Sequence, residues 1–233
     1  MIYTLIDTDT TVFLWLNSWH HPFWDTFMYI ASGRLTWVGL YAALILALLR
    51  AYGWRTMAIV FLASILAVTL ADQFTATILR PFVERLRPAH LENPISSLVH
   101  VVNDYRGGRY GFPSCHAANT FALCTVMALV FRRPALTVAM IVWAVLNCYS
   151  SIYLGVHYPG DILAGTIIGI ICGTITYLLA RIAISLWPSA TPTGRTDALR
   201  HADIGGLRFT YREAHIPIAA LTATILYLLC LAA

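Results

Sequence analysis

The sequence predicts an all-α membrane protein: a polytopic helical bundle of about six transmembrane helices plus an N-terminal interfacial helix. Three observations predict it. Of the 233 residues, 59% are hydrophobic and only 11% charged, against about 25% charged in soluble domains. The apolar residues gather into six runs, at 35–51, 56–80, 115–131, 135–152, 160–186 and 214–232, each near or above the length that crosses a hydrocarbon core of about 30 Å. Within lipid every backbone polar group needs an internal partner, and helices supply it segment by segment.

Residues 1–34 are expected to form an interfacial amphipathic segment. The stretch 11–31 mixes Trp15, Trp19, Phe23, Trp24 and Phe27 with Asn17, His20, His21 and Asp25, and Pro22 interrupts it. That mixture suits the membrane surface better than its interior. Residues 35–233 then form one six-span domain. All 15 basic residues are arginine. Arg50, Arg55, Arg132, Arg133, Arg181, Arg195, Arg200, Arg208 and Arg212 share one face if six spans are present, and the positive-inside rule assigns that face to the cytoplasm. The Pro-, Thr- and Gly-containing stretch 187–213 reads as a cytoplasmic linker. The opposite face carries 1–34, the long loop 81–114 and the turn 153–159, with Arg34, Arg80, Arg85, Arg87, Arg106 and Arg109. Most of these accompany polar residues that read as a site, and binding explains their exception to the rule.

Three constellations carry that site. His157 and Asp161 lie four residues apart where two apolar runs meet. A carboxylate so placed accepts the Nδ1 proton, fixes the tautomer and leaves Nε2 to act. Pro113-Ser114-Cys115-His116 opens the third span, and Arg80 and Arg87-Pro88 flank the end of the second. Two imidazoles, two guanidiniums and one carboxylate at span ends on one face point to a phosphate group. The glycines of Arg106-Gly107-Gly108-Arg109-Tyr110-Gly111 read as an ordinary flexible loop. Gly165, Gly169 and Gly173 recur every four residues, a stripe that lets helices approach closely. Asp72 stands inside the second span, where an acid is costly without a partner.

In order and spacing the three blocks resemble the type 2 phosphatidic acid phosphatase superfamily. Its signatures are Lys, six residues, Arg-Pro; then Pro-Ser-Gly-His; then Ser-Arg, five residues, His, three residues, Asp. Here they read Arg80, six residues, Arg87-Pro88; Pro113-Ser114-Cys115-His116; and Ser150-Ser151, five residues, His157, three residues, Asp161. The resemblance implies a covalent mechanism. His157 is the nucleophile, Asp161 orients it, and His116 is the general acid and then the base. Arg80, Arg87 and Ser114 hold the phosphate. Three positions depart from the pattern: Arg80 for lysine, Cys115 for glycine and Ser151 for arginine. The last removes a cation beside the nucleophile, and Arg106, Arg109 or Arg85 is expected to supply it.

The resemblance also implies hydrolysis of a phosphomonoester or diphosphate on a bacterial envelope lipid, with no metal and no cofactor. Undecaprenyl diphosphate, a lipid A phosphate and phosphatidylglycerol phosphate are the expected substrates. The expected location is the bacterial inner membrane, with the site facing the periplasm or the outside. A catalytically impaired lipid-phosphate binding or transport protein of the same fold is the alternative, motivated by Ser151. Partners are the lipid substrate and membrane lipids. The net charge of +4 is too dispersed for nucleic acid, and no obligate protein partner is evident. Cys115, Cys124, Cys148, Cys172 and Cys230 show no CxxC spacing and read as free thiols.

Overall fold

The computed structural model describes residues 2–33, 35–186 and 212–233, and among them the regular elements are all helices, without strands. The greater part of the expected linker at 187–213 and Arg34, Arg195, Arg200 and Arg208 lie outside the described residues. All five cysteines are free.

The N-terminal segment is two helices, α1 (Ile2–Asn17) and α2 (Pro22–Ala31). Pro22 begins α2 rather than merely interrupting a run. At the first helical position its missing N–H costs nothing, and His21 caps the helix, its Nδ1 accepting the Phe23 N–H at 3.2 Å. One side of α1 is exposed through Leu5, Ile6, Val12 and Trp15, while Phe13 is fully buried.

The next helix, α3 (Val38–Gln73), takes in most of the first two expected spans. The expected turn between them shrinks to Gly53, whose φ of 78° and ψ of 171° break the helix, a conformation glycine adopts without a Cβ penalty. After Gln73 comes a π-helical turn, Phe74–Leu79, and then the short α4 (Arg80–Val83). The widening has a cause in the sequence. Pro81 has no N–H for the preceding turn, and its ring crowds the carbonyl four residues back. The Arg80 N–H accordingly bonds to the carbonyl of Thr75, five residues back. Glu84, in the left-handed region with φ of 51°, ends α4.

α5 (Cys115–Phe131), α6 (Pro134–Tyr153), α7 (Pro159–Leu186) and α8 (Arg212–Ala232) follow, within two residues of the expected bounds. Four helices are long and apolar enough to cross a membrane: Val38–Val83, Pro134–Tyr153, Pro159–Leu186 and Glu213–Ala232. α5, at 17 residues, is shorter. The described helices thus give four candidate spans, the first broken at Gly53, and one shorter apolar helix.

α5 and α7 form the closest seam. A Cβ on Gly165, Gly169 or Gly173 would collide with the carbonyl oxygens of Ser114, Ala118 and Ala122 respectively, so the glycine stripe brings the two backbones together. On the far side of α7, Leu163, Ile167, Ile170, Ile171 and Leu178 are exposed, an apolar surface of the kind lipid covers. The seam also sets the site in place: the Ser114 N–H bonds to the Asp161 carbonyl at 3.0 Å, so the N-termini of α5 and α7 start side by side.

Candidate active site

The turn between α6 and α7 presents His157 buried, 4% exposed. Asp161, in the first turn of α7, is fully buried and has two tasks. Its Oδ2 accepts the Tyr158 N–H at 2.9 Å, closing the start of the helix in the manner of a capping box, and lies 3.4 Å from His157 Nδ1. On the other side of the ring, Arg87 Nη1 is 3.0 Å from His157 Nε2. A guanidinium only donates, so Nε2 is the acceptor and the proton rests on Nδ1, facing Asp161. Burial, reinforced by the Arg87 and Arg80 charges and opposed by Asp161, holds the imidazole down at about 4. The ring is therefore neutral at pH 7, with its lone pair on Nε2, the protonation state a nucleophile needs.

A cavity of about 300 Å³ opens beside this ring. Its lining includes Arg80, Arg87, His116, Ser151, Tyr105 and Asp72, together with Cys115 and His157. The structure thus brings four of the sequence-predicted site residues, Arg80, Arg87, His116 and His157, to one cavity, with Asp161 behind the last. Arg80 Nη2 donates to the Pro113 carbonyl at 3.2 Å and to Cys115 Sγ at 2.9 Å. Arg87 Nη1 also donates to the Val156 carbonyl at 2.9 Å. The Nε of each arginine is buried with no hydrogen-bond partner. Burial and the Arg80 cation pull the Arg87 guanidinium below its ordinary value. Two like charges beside one cavity would favour an anion there.

The other predicted residues stand elsewhere. Ser114 is fully buried and caps α5, its Oγ accepting the Ala117 N–H at 3.3 Å. Arg106 Nη1 donates to the Ala89 carbonyl at 2.8 Å, and Arg109 pairs with Glu92 at 2.8 Å on the surface. None of the three lines the cavity. Arg85 bridges two carboxylates, Asp161 at 3.0 Å and Asp9 at 2.7 Å. Ser151 is buried on the cavity wall, its hydroxyl donating to the Asn147 carbonyl at 3.2 Å. Asp72 finds its partner in Asn119, whose Nδ2 donates to it at 2.9 Å.

Two features escape a reading of the sequence. The glycine loop is more than a flexible connection. Residues 85–87 pair with 109–111 through Arg87 N–H to Arg109 O at 3.1 Å and Gly111 N–H to Arg85 O at 2.8 Å. This lays the loop over the site. A Cβ at Gly107 would meet the Arg87 guanidinium at 3.2 Å, and one at Gly111 would meet Arg87 Cγ at 3.1 Å and Asp161 Oδ2 at 3.2 Å. The signal was the glycine count in a loop bounded by arginines. The second is Asp9, an unremarked acid in an exposed helix, for which no sequence signal exists. His20, His21 and His100 lie outside this cavity: His20 stacks on His100 at 4.0 Å, and His100 Nε2 is 3.0 Å from Asp25. Among the described residues, no group of three His, Cys, Asp or Glu side chains is arranged to hold a metal ion.

A helical bundle with candidate membrane spans that brings a paired His and Asp, a second His and two arginines to one cavity fits a class, the membrane phosphoryl-transfer enzymes. Comparison with known proteins is consistent with it. The model of the PAP2 superfamily matches residues 58–184. The chain is 42% identical over 205 residues to the lipid A 4'-phosphatase of Bacteroides thetaiotaomicron, covering 88% of this chain and 91% of that one. It is 33% identical over 201 residues to the lipid A 4'-phosphatase of Porphyromonas gingivalis, covering 85% and 84%. The crystal structure of Aquifex aeolicus LpxE superposes with a TM-score of 0.53 at 27% identity, covering 72% of this chain and 93% of that one. The chain belongs to the PAP2 superfamily, and it is a membrane lipid phosphatase.

Proposed function

We propose that this phosphatase hydrolyses a phosphomonoester of lipid A through a phosphohistidine on His157. The observation that carries the chemistry is the placement of that ring: Nδ1 faces Asp161 and Nε2 faces Arg87 at the wall of a cavity that Arg80 and Arg87 line. The similarity to two lipid A 4'-phosphatases over most of both chains supports the choice of lipid over undecaprenyl diphosphate and phosphatidylglycerol phosphate.

In this mechanism the phosphate enters the cavity and takes the donors of Arg80 and Arg87, drawing Arg87 from Nε2. Nε2 attacks phosphorus as the bond to the lipid oxygen breaks. Protonated His116 gives its proton to that oxygen, and the Asp161 carboxylate stabilises the imidazolium. His116, now neutral, takes a proton from water. The water attacks phosphorus, the N–P bond breaks, and phosphate leaves with His157 neutral and His116 again protonated. The first amides of α5, whose opening residues Cys115 and His116 line the cavity, add a partial positive charge. No metal takes part, since the guanidiniums supply the electrostatic stabilisation. The chain crosses the inner membrane six times, α3 counting as two crossings hinged at Gly53, with the site facing the periplasm.

The test is inorganic phosphate release in detergent with EDTA present, from lipid A, undecaprenyl diphosphate, phosphatidylglycerol phosphate and phosphatidic acid in parallel. Lipid A should be turned over fastest. His157→Ala should abolish release, and His116→Ala should lower it by about 10²–10⁴. Loss of activity in EDTA refutes the metal-free mechanism. A second reading has one observation in its favour: Ser151 holds the position of an arginine, and neither Arg106 nor Arg109 lines the cavity. On that reading the chain binds or moves lipid phosphates, and the intact protein releases phosphate no faster than His157→Ala.

A further inference from the structure

We infer that Asp9, on the N-terminal helix α1, is a positioning residue for phosphoryl transfer: by anchoring Arg85 and offsetting its charge it leaves the Asp161 carboxylate to compensate the imidazolium that forms on His157. The inference rests on His157 being the nucleophile. It concerns a residue outside the stretch that the family model matches, 58–184.

The geometry is a relay of four side chains. Asp9 Oδ2 meets Arg85 Nη2 at 2.7 Å, Arg85 Nη1 meets Asp161 Oδ1 at 3.0 Å, and Asp161 Oδ2 faces His157 Nδ1 at 3.4 Å. Every member is mostly shielded: the side chains of Asp9 and Arg85 are 16% and 22% exposed, those of Asp161 and His157 0% and 5%. Arg85 cannot drift, because its guanidinium lies 3.8 Å over the Tyr158 ring. That ring is held by Asn93 Nδ2 donating to its hydroxyl at 3.0 Å and by Phe13 of α1 at 5.2 Å. Asp9 is fixed by a second bond, accepting the Gly160 N–H with Oδ1 at 2.8 Å. The fit leaves no slack, since a Cβ on Gly160 would sit 2.8 Å from Asp9 Oδ2.

Charge counting gives the reason. When Nε2 bonds to phosphorus the ring becomes an imidazolium, and the carboxylate behind it must carry the compensating charge. Arg85 and Asp161 alone sum to zero, and the guanidinium would draw on the very carboxylate the ring needs. With Asp9 the three groups sum to minus one. That surplus sits inside a shielded cluster next to His157, where a charge counts more than in water. Asp9 touches neither substrate nor the reacting atoms, so its effect belongs in the chemical step and not in binding.

The experiment uses the full chain in detergent with lipid A, following steady-state turnover and rapid-quench formation of the acid-labile phosphoenzyme. Asp9→Asn should lower kcat and the rate of phosphoenzyme formation by about tenfold with KM changed less than about twofold. Asp9→Glu should recover most of the loss. In an Arg85→Gln background, Asp9→Asn should cost less than about twofold more, because residues acting through a shared partner are not additive. A role of Asp9 in holding α1 alone would multiply the two losses instead. Gly160→Ala displaces the Asp9 carboxylate with its charge intact and should repeat the kcat loss, which keeps the test alive if Asp9→Asn does not fold. Wild-type kcat in Asp9→Asn, a change in KM alone, or full additivity with Arg85→Gln overturns the inference. Absence of a His157-dependent phosphoenzyme in the unaltered protein instead overturns the nucleophile assignment on which it rests.

Discussion

The cavity wall and the loop beside it both hold arginines, and the two sets differ in what their donors do. Arg80 and Arg87 line the cavity and each leaves a buried Nε unsatisfied. Arg85, Arg106 and Arg109 give donors to Asp9 and Asp161, to the Ala89 carbonyl and to Glu92. A buried unsatisfied donor is costly unless something comes to meet it. Both sets also bond to the protein, Arg80 to Pro113 and Cys115 and Arg87 to Val156 and His157; what separates the first set is that it borders the cavity where the proposed ligand would sit. Sequence alone cannot separate them, because all five stand within thirty residues on the same face.

The widest gap between the sets should appear at Arg87. If Arg87 binds the phosphate as proposed, Arg87→Ala removes a phosphate donor and the partner of His157 Nε2 at once, and kcat/KM should fall by about 10³, the upper range for loss of one preorganised donor. The same variant carries a pH signature. In the unaltered protein His157 has its proton affinity pushed down to about 4, mainly by burial. Activity that needs the neutral ring is then retained as pH falls through the ordinary histidine range and is lost only near pH 4. Arg87 contributes to that lowering, so its removal raises the value and shifts the acid limb to higher pH. An unmoved limb, measured as kcat/KM against pH, would show that another group sets it.

Much of the fold and part of the site were legible beforehand, for physical reasons that differ by element. The bounds of α5 to α8 follow from long apolar runs ended by Arg-Arg-Pro, by Pro159 and by polar loops, signals that lipid makes strong. The seam of α5 and α7 was readable because only a missing Cβ allows that approach, and Gly165, Gly169 and Gly173 recur at helical spacing. The His157–Asp161 pair was readable because both partners sit on one local turn. Arg109 and Ser114 illustrate the limit. Block membership assigns Ser114 to the phosphate, and the arginine absent at Ser151 suggests Arg109 as its substitute, whereas the structure turns Arg109 toward Glu92 and Ser114 into a helix cap. Which way a loop side chain points depends on long-range contacts that leave no local pattern. Asp9 is the extreme case, meeting Arg85 across 76 positions.

Ser151 sharpens the comparison from the other direction. If Arg80 and Arg87 suffice for the phosphate, a third guanidinium is a liability. Ser151 is 3% exposed and borders a cavity of about 300 Å³ that already holds two cations. Ser151→Arg would place a like charge in that space and compete for the phosphate position. The expected result is a fall of about tenfold in kcat/KM for lipid A. A rise instead would show that the cavity is one cation short, and would favour the impaired-enzyme reading.

The smallest effect is expected at Arg109. Its guanidinium pairs with Glu92 at 2.8 Å, and both side chains are 56% exposed. An ion pair in that setting contributes about 0–1 kcal/mol, because water and salt screen it and two long side chains lose freedom to form it. If Arg109 belongs to the second set, Arg109→Ala should leave kcat/KM within about twofold of the unaltered protein. Glu92→Ala should do the same, since releasing Arg109 gives it nothing further to do. The pair tests the division more severely than either variant alone. Should Arg109 leave Glu92 to grip the phosphate during turnover, Arg109→Ala would cost more than about tenfold while Glu92→Ala would raise activity by removing the competing carboxylate. Opposite signs for the two substitutions, measured at one ionic strength, would move Arg109 into the first set and make the cation missing at Ser151 a mobile one.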